Sequence, residues 1–325
     1  MSHNHEEGDH TPAQGHSHAG HGPGHAHSHA HAHGPMEYGR AFAIGVGLNL
    51  TYVIVQASYG LFANSVALLA DAAHNLSDVL GLVLAWGAAA LAKRLPSARF
   101  TYGLRGSSIL AALANAAFLL LVTGGIAWEA IQRVLHPSPV AGVTVMWVAA
   151  LGIAINGGSA LLFMSGRKHD LNVRGAFLHL LTDAVVSLGV VFAGIGIIFT
   201  GWLWLDPAIS LIISVVIVAG TWGLLRDSVR LALDAVPEGV NIHHVRACLA
   251  ELPGVVEVHD LHVWGMSTTD TALTAHLVMP QGHPGDAFVA GVAQRLQDEF
   301  RISHATVQVE ITLGHPCVLA PDHVV

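Results

Sequence analysis

The sequence predicts a membrane protein, with an all-α bundle of six transmembrane helices followed by a cytoplasmic α+β domain. Three observations predict this fold class. Of the 325 residues, 52% are hydrophobic and only 11% are charged, whereas about a quarter of the residues in soluble domains are charged. Six segments are each apolar over the roughly 20 residues that a helix needs to cross a bilayer. Beyond residue 235, the apolar runs shorten to the lengths of amphipathic helices and strands.

The six apolar segments form the predicted transmembrane domain, residues 37–235. Their approximate limits are 40–62, 66–92, 106–133, 142–165, 172–200 and 206–230. Gly and Ala recur along them, and small residues let helices approach closely in lipid. We therefore expect a bundle in which neighbouring backbones come close together.

Basic residues between the predicted spans set the orientation in the membrane. They cluster after spans two, four and six, whereas the loops on the opposite side contain only Arg133. The clustered residues are Lys93, Arg94, Arg99, Arg105, Arg167, Lys168, Arg174, Arg226 and Arg230. Because cytoplasmic loops carry an excess of Lys and Arg, both termini are predicted to be cytoplasmic.

Residues 236–325 are predicted to form a separate cytoplasmic domain. NIHHVRACLAEL has the pattern of a short amphipathic helix, and VVEVHDLHVW and TALTAHLVM alternate as strands do. Residues 286–300 are helical in period, and ATVQVEITL is a third strand. The order αββαβ indicates a ferredoxin-like layer with both helices on one face of a sheet. Since so small a domain buries little core, we expect it to pair with a second copy.

The first 36 residues are predicted to be a disordered, His-rich cytoplasmic tail. Eleven of the 24 histidines fall within the first 33 residues, interleaved with Gly, Ala and Ser. The segment has no apolar h-region and therefore does not resemble a signal peptide. Short His-rich tracts are typical of metal binding, although a solvated tail with no role in metal handling is the alternative.

Several classes of function are excluded by composition and motifs. A net charge of −8 without a clustered Lys/Arg face argues against a nucleic-acid partner. Cys248 and Cys317 form neither a CxxC pair nor a disulfide framework, which fits a reducing compartment. A metal-dependent hydrolase needs a base beside an open metal position, typically in HExxH, and no such motif occurs. We therefore expect no enzyme and no catalytic cofactor.

Two short motifs place ionisable residues inside predicted spans: His74 with Asp78 in span two, and His179 with Asp183 in span five. Residues four apart lie on one face of a helix, and ionisable residues within a membrane face the protein interior. Two imidazoles and two carboxylates make a complete tetrahedral set for a divalent metal. A hydrogen-bonded packing role is the alternative, which the repeated spacing disfavours. Asp71 shares the face of His74 and is expected behind the ligands or at the cavity mouth.

Charge and ligand type narrow the choice of ion. Two neutral imidazoles and two carboxylates sum to −2, which balances a divalent cation where little net charge is tolerated. Magnesium and calcium prefer shells of oxygen alone, whereas mixed nitrogen and oxygen ligands favour zinc, with cobalt(II) second. Because ligating histidines must be neutral, metal binding releases protons. The site thus predicts metal/proton exchange.

The spans and motifs resemble the cation diffusion facilitator family, in particular its zinc-transporting branch of the bacterial cobalt/zinc/cadmium efflux type. The resemblance covers roughly residues 36–315 and rests on both HxxxD motifs, SVALLADAAHNLSDV, RFTYGLR and HDLHVW. It implies a homodimeric exporter that exchanges zinc or cobalt for protons by alternating access. HxxxD in place of DxxxD in span two implies a preference for zinc over cadmium. The implied transport site is His74, Asp78, His179 and Asp183.

The resemblance also implies sites outside the spans. His259, His276 and Glu310 match positions that bind further zinc in the cytoplasmic domain, and His283 or Asp286 could add a ligand. Histidines that merely face solvent are the alternative. His262 is left out because it is expected on the other face of its strand, and His315 with Cys317 is a weaker extra candidate.

Arg105 and Asp234 match positions of a charge interlock between the membrane part and the cytoplasmic domain. Two alternative functions stay open at this point. One is a membrane-anchored metal sensor or store, in which the spans serve only as an anchor. The other is a zinc importer of the ZIP type, which has more spans and HExxH-like helices. The short chain and lean loops favour a bacterial inner (plasma) membrane.

Overall fold

The computed structural model describes residues 40–163, 171–311 and 317–320, so the predicted tail, residues 1–36, lies outside the described residues. Six long helices come first, in agreement with the six predicted spans. They are α1 (Arg40–Phe62), α2 (Val66–Ala92), α3 (Ser107–Leu135), α4 (Gly142–Phe163), α5 (Leu171–Thr200) and α6 (Leu205–Ala232). Within the described residues, α2 to α6 are long and apolar enough to cross a membrane. The predicted fold class is confirmed.

The helices pack in pairs, with α4 against α5, α3 against α6, and α2 against both α1 and α3. The α4–α5 pair shows why the spans are rich in glycine. A Cβ at Gly194 would lie 2.9 Å from the Met146 backbone nitrogen and 3.0 Å from the carbonyl oxygen of Gly142. No larger residue fits at this contact without a shift of backbone, as expected for close packing in lipid.

The start of α2 is anchored to α6. Ser65 caps the helix by accepting a hydrogen bond from the backbone amide of Leu68 (3.1 Å), as N-cap serines do. Asp206, fully buried at the start of α6, accepts hydrogen bonds from the Ser65 hydroxyl and from the backbone amide of Val66 (2.7 Å). A carboxylate also suits the positive end of the helix dipole. This anchor fixes the register of the helix that carries His74 and Asp78.

The cytoplasmic part has the predicted order αββαβ. Its elements are α7 (Ile242–Ala250), β1 (Glu257–Gly265), β2 (Thr271–Val278), α8 (Asp286–Phe300) and β3 (Ile302–Glu310). The sheet has the order β1-β2-β3, with β1 antiparallel and β3 parallel to β2. Helix α8 makes the crossover that a parallel pair requires, and both helices pack on one apolar core with Leu249, Leu273 and Leu296 at its centre.

The end of the loop between α2 and α3 and the start of α3 contact the turn between β1 and β2. Thr268, in the turn between β1 and β2, donates its backbone N–H to the Ser108 hydroxyl (3.1 Å). The Arg105 guanidinium lies 3.4 Å from a carboxylate oxygen of Asp270. Asp270, and not the predicted Asp234, is therefore the partner that the structure places beside Arg105. The reason is local: Asp234 follows α6 in a left-handed turn (φ 56°), whereas the β1–β2 turn packs against the start of α3.

Candidate metal centres

The four predicted residues of the spans lie together. His74 and Asp78 project from α2, and His179 and Asp183 project from α5. The shortest contacts cross between the helices: His74 Nε2 is 3.1 Å from Asp183 Oδ1, and His179 Nε2 is 3.3 Å from Asp78 Oδ2. Within each helix the His–Asp distances are 4.0 and 3.6 Å. Each carboxylate thus lies between two imidazoles, and each imidazole between two carboxylates.

Burial differs between the two ends of this group of four. The side chain of Asp183 is 4% exposed and that of His74 21%, whereas Asp78 and His179 are 33% and 35% exposed. Asp78 lies nearer than His74 to the end of α2 that leads to the cytoplasmic domain. His179 likewise lies nearer than Asp183 to the start of the antiparallel α5. The site is therefore more open towards the end of the bundle that carries the cytoplasmic domain.

Chemically, the group can hold either protons or a divalent metal. Ligand atoms of His74, Asp78 and Asp183 all lie within 4.8 Å of one another, and His179 completes a set of two nitrogens and two oxygens. The two His–Asp contacts between the helices have hydrogen-bonding distances of 3.1 and 3.3 Å, which need a proton between the partners. A metal ion at the centre would displace those protons, because it binds neutral imidazole and ionised carboxylate.

A buried polar layer lies one helical turn behind this group. Gln56 of α1 donates a hydrogen bond to Asp71 Oδ2 (2.6 Å), and Ser187 of α5 donates to the same oxygen (3.1 Å). Asn75 donates to Gln56 Oε1 (3.1 Å). The sequence indicated Asp71 but missed Gln56 and Ser187. Their positions in the sequence could have indicated them, since both are polar residues inside apolar spans and Ser187 follows Asp183 by one turn.

The cytoplasmic domain holds a second group of ligand-type side chains. His259 of β1 and His276 of β2 are opposite each other in the ladder, and Glu310 ends β3. Glu310 oxygens lie 3.4 Å from His259 Nε2 and 3.0 Å from His276 Nδ1. Cys317 Sγ lies 3.6 Å from His276 Nδ1. The three predicted strand residues are thus brought together, with the thiol as a fourth member.

The predicted extra ligands His283 and Asp286 do not belong to this group as far as the chain is described. His283 Nδ1 instead accepts the backbone N–H of Gly285 (3.0 Å) at the start of α8. Cys317, predicted only as a weak candidate, lies closer to the group than His283 or Asp286. Its pKa is lowered by a backbone hydrogen bond at Leu319, but desolvation and the carboxylates of Glu310 and Asp260 raise it above the ordinary thiol value.

Asp260 is a member that sequence reasoning missed. A β-bulge interrupts β1 between His259 and His262, and Asp260 there has a left-handed backbone (φ 47°), which is uncommon outside glycine. Its carboxylate lies 3.3 Å from His276 Nε2 and 2.8 Å from His262 Nε2. The expectation that His262 stands apart from the other histidines assumed regular alternation, which the bulge breaks.

Two intramembrane His–Asp motifs facing each other in a helical bundle, joined to a small domain with a further His/Glu/Cys group, define a multi-pass membrane transporter for metal cations. Comparison with known families agrees. Residues 42–231 match the Cation efflux transmembrane domain, and residues 228–312 match the Cation efflux protein, cytoplasmic domain. The chain belongs to the cation efflux (cation diffusion facilitator) family, whose members are transporters and not enzymes.

Named relatives share about a third of their residues with this chain. The cation efflux system protein CzcD of Alcaligenes sp. is 36% identical over 279 residues, 86% of this chain and 87% of that protein. The zinc transporter ZitB of Escherichia coli is 36% identical over 280 residues, 86% and 88% of the two chains. The cadmium, cobalt and zinc/H(+)-K(+) antiporter of Bacillus subtilis is 33% identical over 264 residues, 80% and 85%.

Proposed function

We propose that this protein exports zinc, with cobalt(II) as a second substrate, from the bacterial cytoplasm in exchange for protons. The transport site would be His74, Asp78, His179 and Asp183. One observation carries the proposal: two helices bring four ligands of the right type into contacts of 3.1 and 3.3 Å. The names of CzcD, ZitB and the Bacillus antiporter support efflux, zinc and proton exchange respectively.

In the proposed cycle, zinc and protons compete for the same nitrogens and oxygens. Zinc enters from the cytoplasmic end past the more exposed Asp78 and His179, and its charge is balanced by the two carboxylates. Binding displaces the protons shared by the His–Asp pairs. After the site opens to the other side, protons reoccupy the imidazoles and release the ion. Because each partner of a close pair lies on a different helix, relative movement of α2 and α5 changes the coordination directly.

The domain arrangement completes the proposal. Residues 1–36 would form a metal-binding tail, 37–235 the transmembrane domain, and 236–325 a domain that holds zinc and pairs two copies into a homodimer. His259, His276 and Glu310 supply nitrogen and oxygen donors, and Cys317 adds the sulfur that zinc readily accepts. Both termini would lie in the cytoplasm, and the membrane would be the bacterial inner membrane.

A flux assay on purified protein in proteoliposomes tests the transport site. We expect saturable zinc flux with opposite proton flux in the wild-type protein, competed by cobalt, and no metal-driven proton flux in Asp183→Ala. The matched control is Asp298→Ala, which removes an exposed carboxylate on α8, and it should transport normally. Deletion of residues 1–34 should leave flux largely intact.

The same assay separates the alternatives. A sensor or store would bind zinc without saturable flux, and an importer would move zinc towards the side that carries the cytoplasmic domain. Full transport by Asp183→Ala would contradict the proposed site, and zinc flux without proton flux would contradict antiport.

A further inference from the structure

Two buried polar atoms close to the proposed transport site have no hydrogen-bond partner among the described residues: Asp71 Oδ1 and His74 Nδ1. Asp71 is fully buried. Gln56 and Ser187 both donate their hydrogen bonds to its other oxygen, Oδ2. His74 directs its Nε2 to Asp183 and Asp78. Each residue therefore uses one polar atom and leaves the second unpaired, which is costly in a buried position.

The two unpaired atoms belong to adjacent turns of one helix face. Asp71 precedes His74 by three residues on α2, and residues three apart are surface neighbours on a helix. Side chains of a helix lean towards its N-terminus, so the His74 ring leans over the turn that contains Asp71. A carboxylate oxygen is an acceptor, and an imidazole nitrogen donates when it carries the proton. The two atoms are complementary.

We propose that Asp71 is a positioning residue for the metal: its Oδ1 accepts the Nδ1–H of His74 and thereby holds the imidazole in the tautomer that presents Nε2 to the ion. Histidines that ligate metals usually donate their other ring N–H to a carboxylate or carbonyl, which fixes the orientation of the ring. Gln56 and Ser187 hold Oδ2 and leave Oδ1 for His74. In the metal-bound protein, rotation of these side chains would close the pair.

This inference rests on the proposed function, because it requires His74 Nε2 to be a ligand of the transported ion. It differs from direct ligation by Asp71 in one respect that can be measured. A residue that acts through the His74 ring loses its effect when the ring is removed, whereas a ligand or a packing residue keeps its effect. The substitution His74→Asp makes this distinction, since it retains an oxygen ligand and has no second ring nitrogen to orient.

Zinc flux through the full-length protein in proteoliposomes gives the test. We expect Asp71→Asn to raise the KM for zinc by about 10-fold or more, the loss typical when an outer hydrogen-bond partner of a ligand is removed. The matched control is Asp298→Asn, which makes the same change at an exposed carboxylate on α8, and it should leave the KM unchanged. In the His74→Asp background, Asp71→Asn should add less than about 2-fold, because the two effects are not independent.

An equal loss in both backgrounds, or an unchanged KM in Asp71→Asn, would overturn the inference. A measurement on the wild-type protein decides even where a variant does not fold. Nitrogen-15 NMR of labelled histidines in the zinc-loaded protein should show His74 with zinc on Nε2 and a proton on Nδ1, and zinc on Nδ1 would also overturn it. Absence of saturable flux by the wild type would contradict the proposed function instead, while NMR would still decide the role of Asp71.

Discussion

The intramembrane group of four and the cytoplasmic group use similar chemistry on different supports. His74, Asp78, His179 and Asp183 lie on α2 and α5, helices that pack mainly on other partners. His259, His276 and Glu310 lie on three strands of one hydrogen-bonded sheet. Helices packed on separate neighbours can shift relative to each other, whereas adjacent strands cannot separate without breaking their ladder. The same ligand types therefore suit a transient ion in the membrane and a retained ion in the sheet.

Burial and ligand softness add to this difference. The cytoplasmic histidines are more buried than the exposed half of the intramembrane group, with side chains 5% and 11% exposed. Cys317 adds sulfur to the cytoplasmic group, a ligand that would favour zinc over harder ions, while the group in the spans has only nitrogen and oxygen. The proposed functions therefore assign transport and retention to the two groups by their position on the fold more than by their residue types.

The largest expected effect is on zinc flux, and it should distinguish the intramembrane group from the cytoplasmic group. Asp78→Ala removes the carboxylate that contacts His179 across the helices, and zinc flux should fall by about 100-fold or more because the dication loses one of the two carboxylates that balance its charge. Glu310→Ala should leave flux within about 3-fold but lower the amount of zinc that survives dialysis. Flux and bound zinc are measured on the same preparations. Loss of flux in Glu310→Ala with retained zinc would contradict the division of roles.

A smaller effect, on zinc retention, is expected when the sulfur of Cys317 is removed. Cys317→Ser should weaken zinc retention by the cytoplasmic domain by roughly 10-fold, since a hydroxyl is a poorer ligand than a thiolate. Cobalt(II) substitution offers a second readout, because the sulfur-to-cobalt absorption should disappear in the variant. The matched control is Cys248→Ser, whose buried thiol lies near Glu299 in another part of the domain. If Cys317→Ser keeps the wild-type cobalt spectrum, Cys317 is not a ligand.

The pH dependence of zinc retention should follow from the same thiol. The pKa of Cys317 is raised above its ordinary value, so without metal the thiol is protonated at neutral pH and must lose its proton to bind zinc. Zinc affinity should thus increase with pH until the pH passes that pKa. A plot of log affinity against pH should be steeper for the wild type than for Cys317→Ser by about one proton. Equal slopes would show that the thiol does not take part.

The smallest effect concerns the contact between the two regions. Arg105 and Asp270 form a half-exposed pair at 3.4 Å, and such pairs contribute about 0–1 kcal/mol. A double-mutant cycle of Arg105→Ala and Asp270→Ala, read by thermal unfolding, should show a small coupling. The equivalent cycle with Asp234→Ala should show none. Coupling to Asp234 instead would restore the partner that the sequence predicted.

The sequence by itself determined the six spans, the αββαβ order and the two intramembrane motifs. The reason is that bilayer thickness, helix periodicity and strand alternation leave local signatures in a chain. The spacing of His74 to Asp78 and of His179 to Asp183 was likewise enough to predict one face on each helix. Ionisable side chains are unfavourable in contact with lipid, so these faces were predicted to point into the bundle. That prediction needed no knowledge of how the helices pack.

Only the tertiary structure decided which residues from distant parts of the chain meet. The cross-helix pairing of His74 with Asp183 depends on the register of α2 against α5. The place of Asp260 depends on a bulge, and only the packing of the domain decides that Cys317 instead of His283 joins the cytoplasmic group. Asp270 lies beside Arg105, where the sequence predicted Asp234, because the β1–β2 turn packs against the start of α3. Such contacts come from packing between elements, which no local pattern of residues encodes.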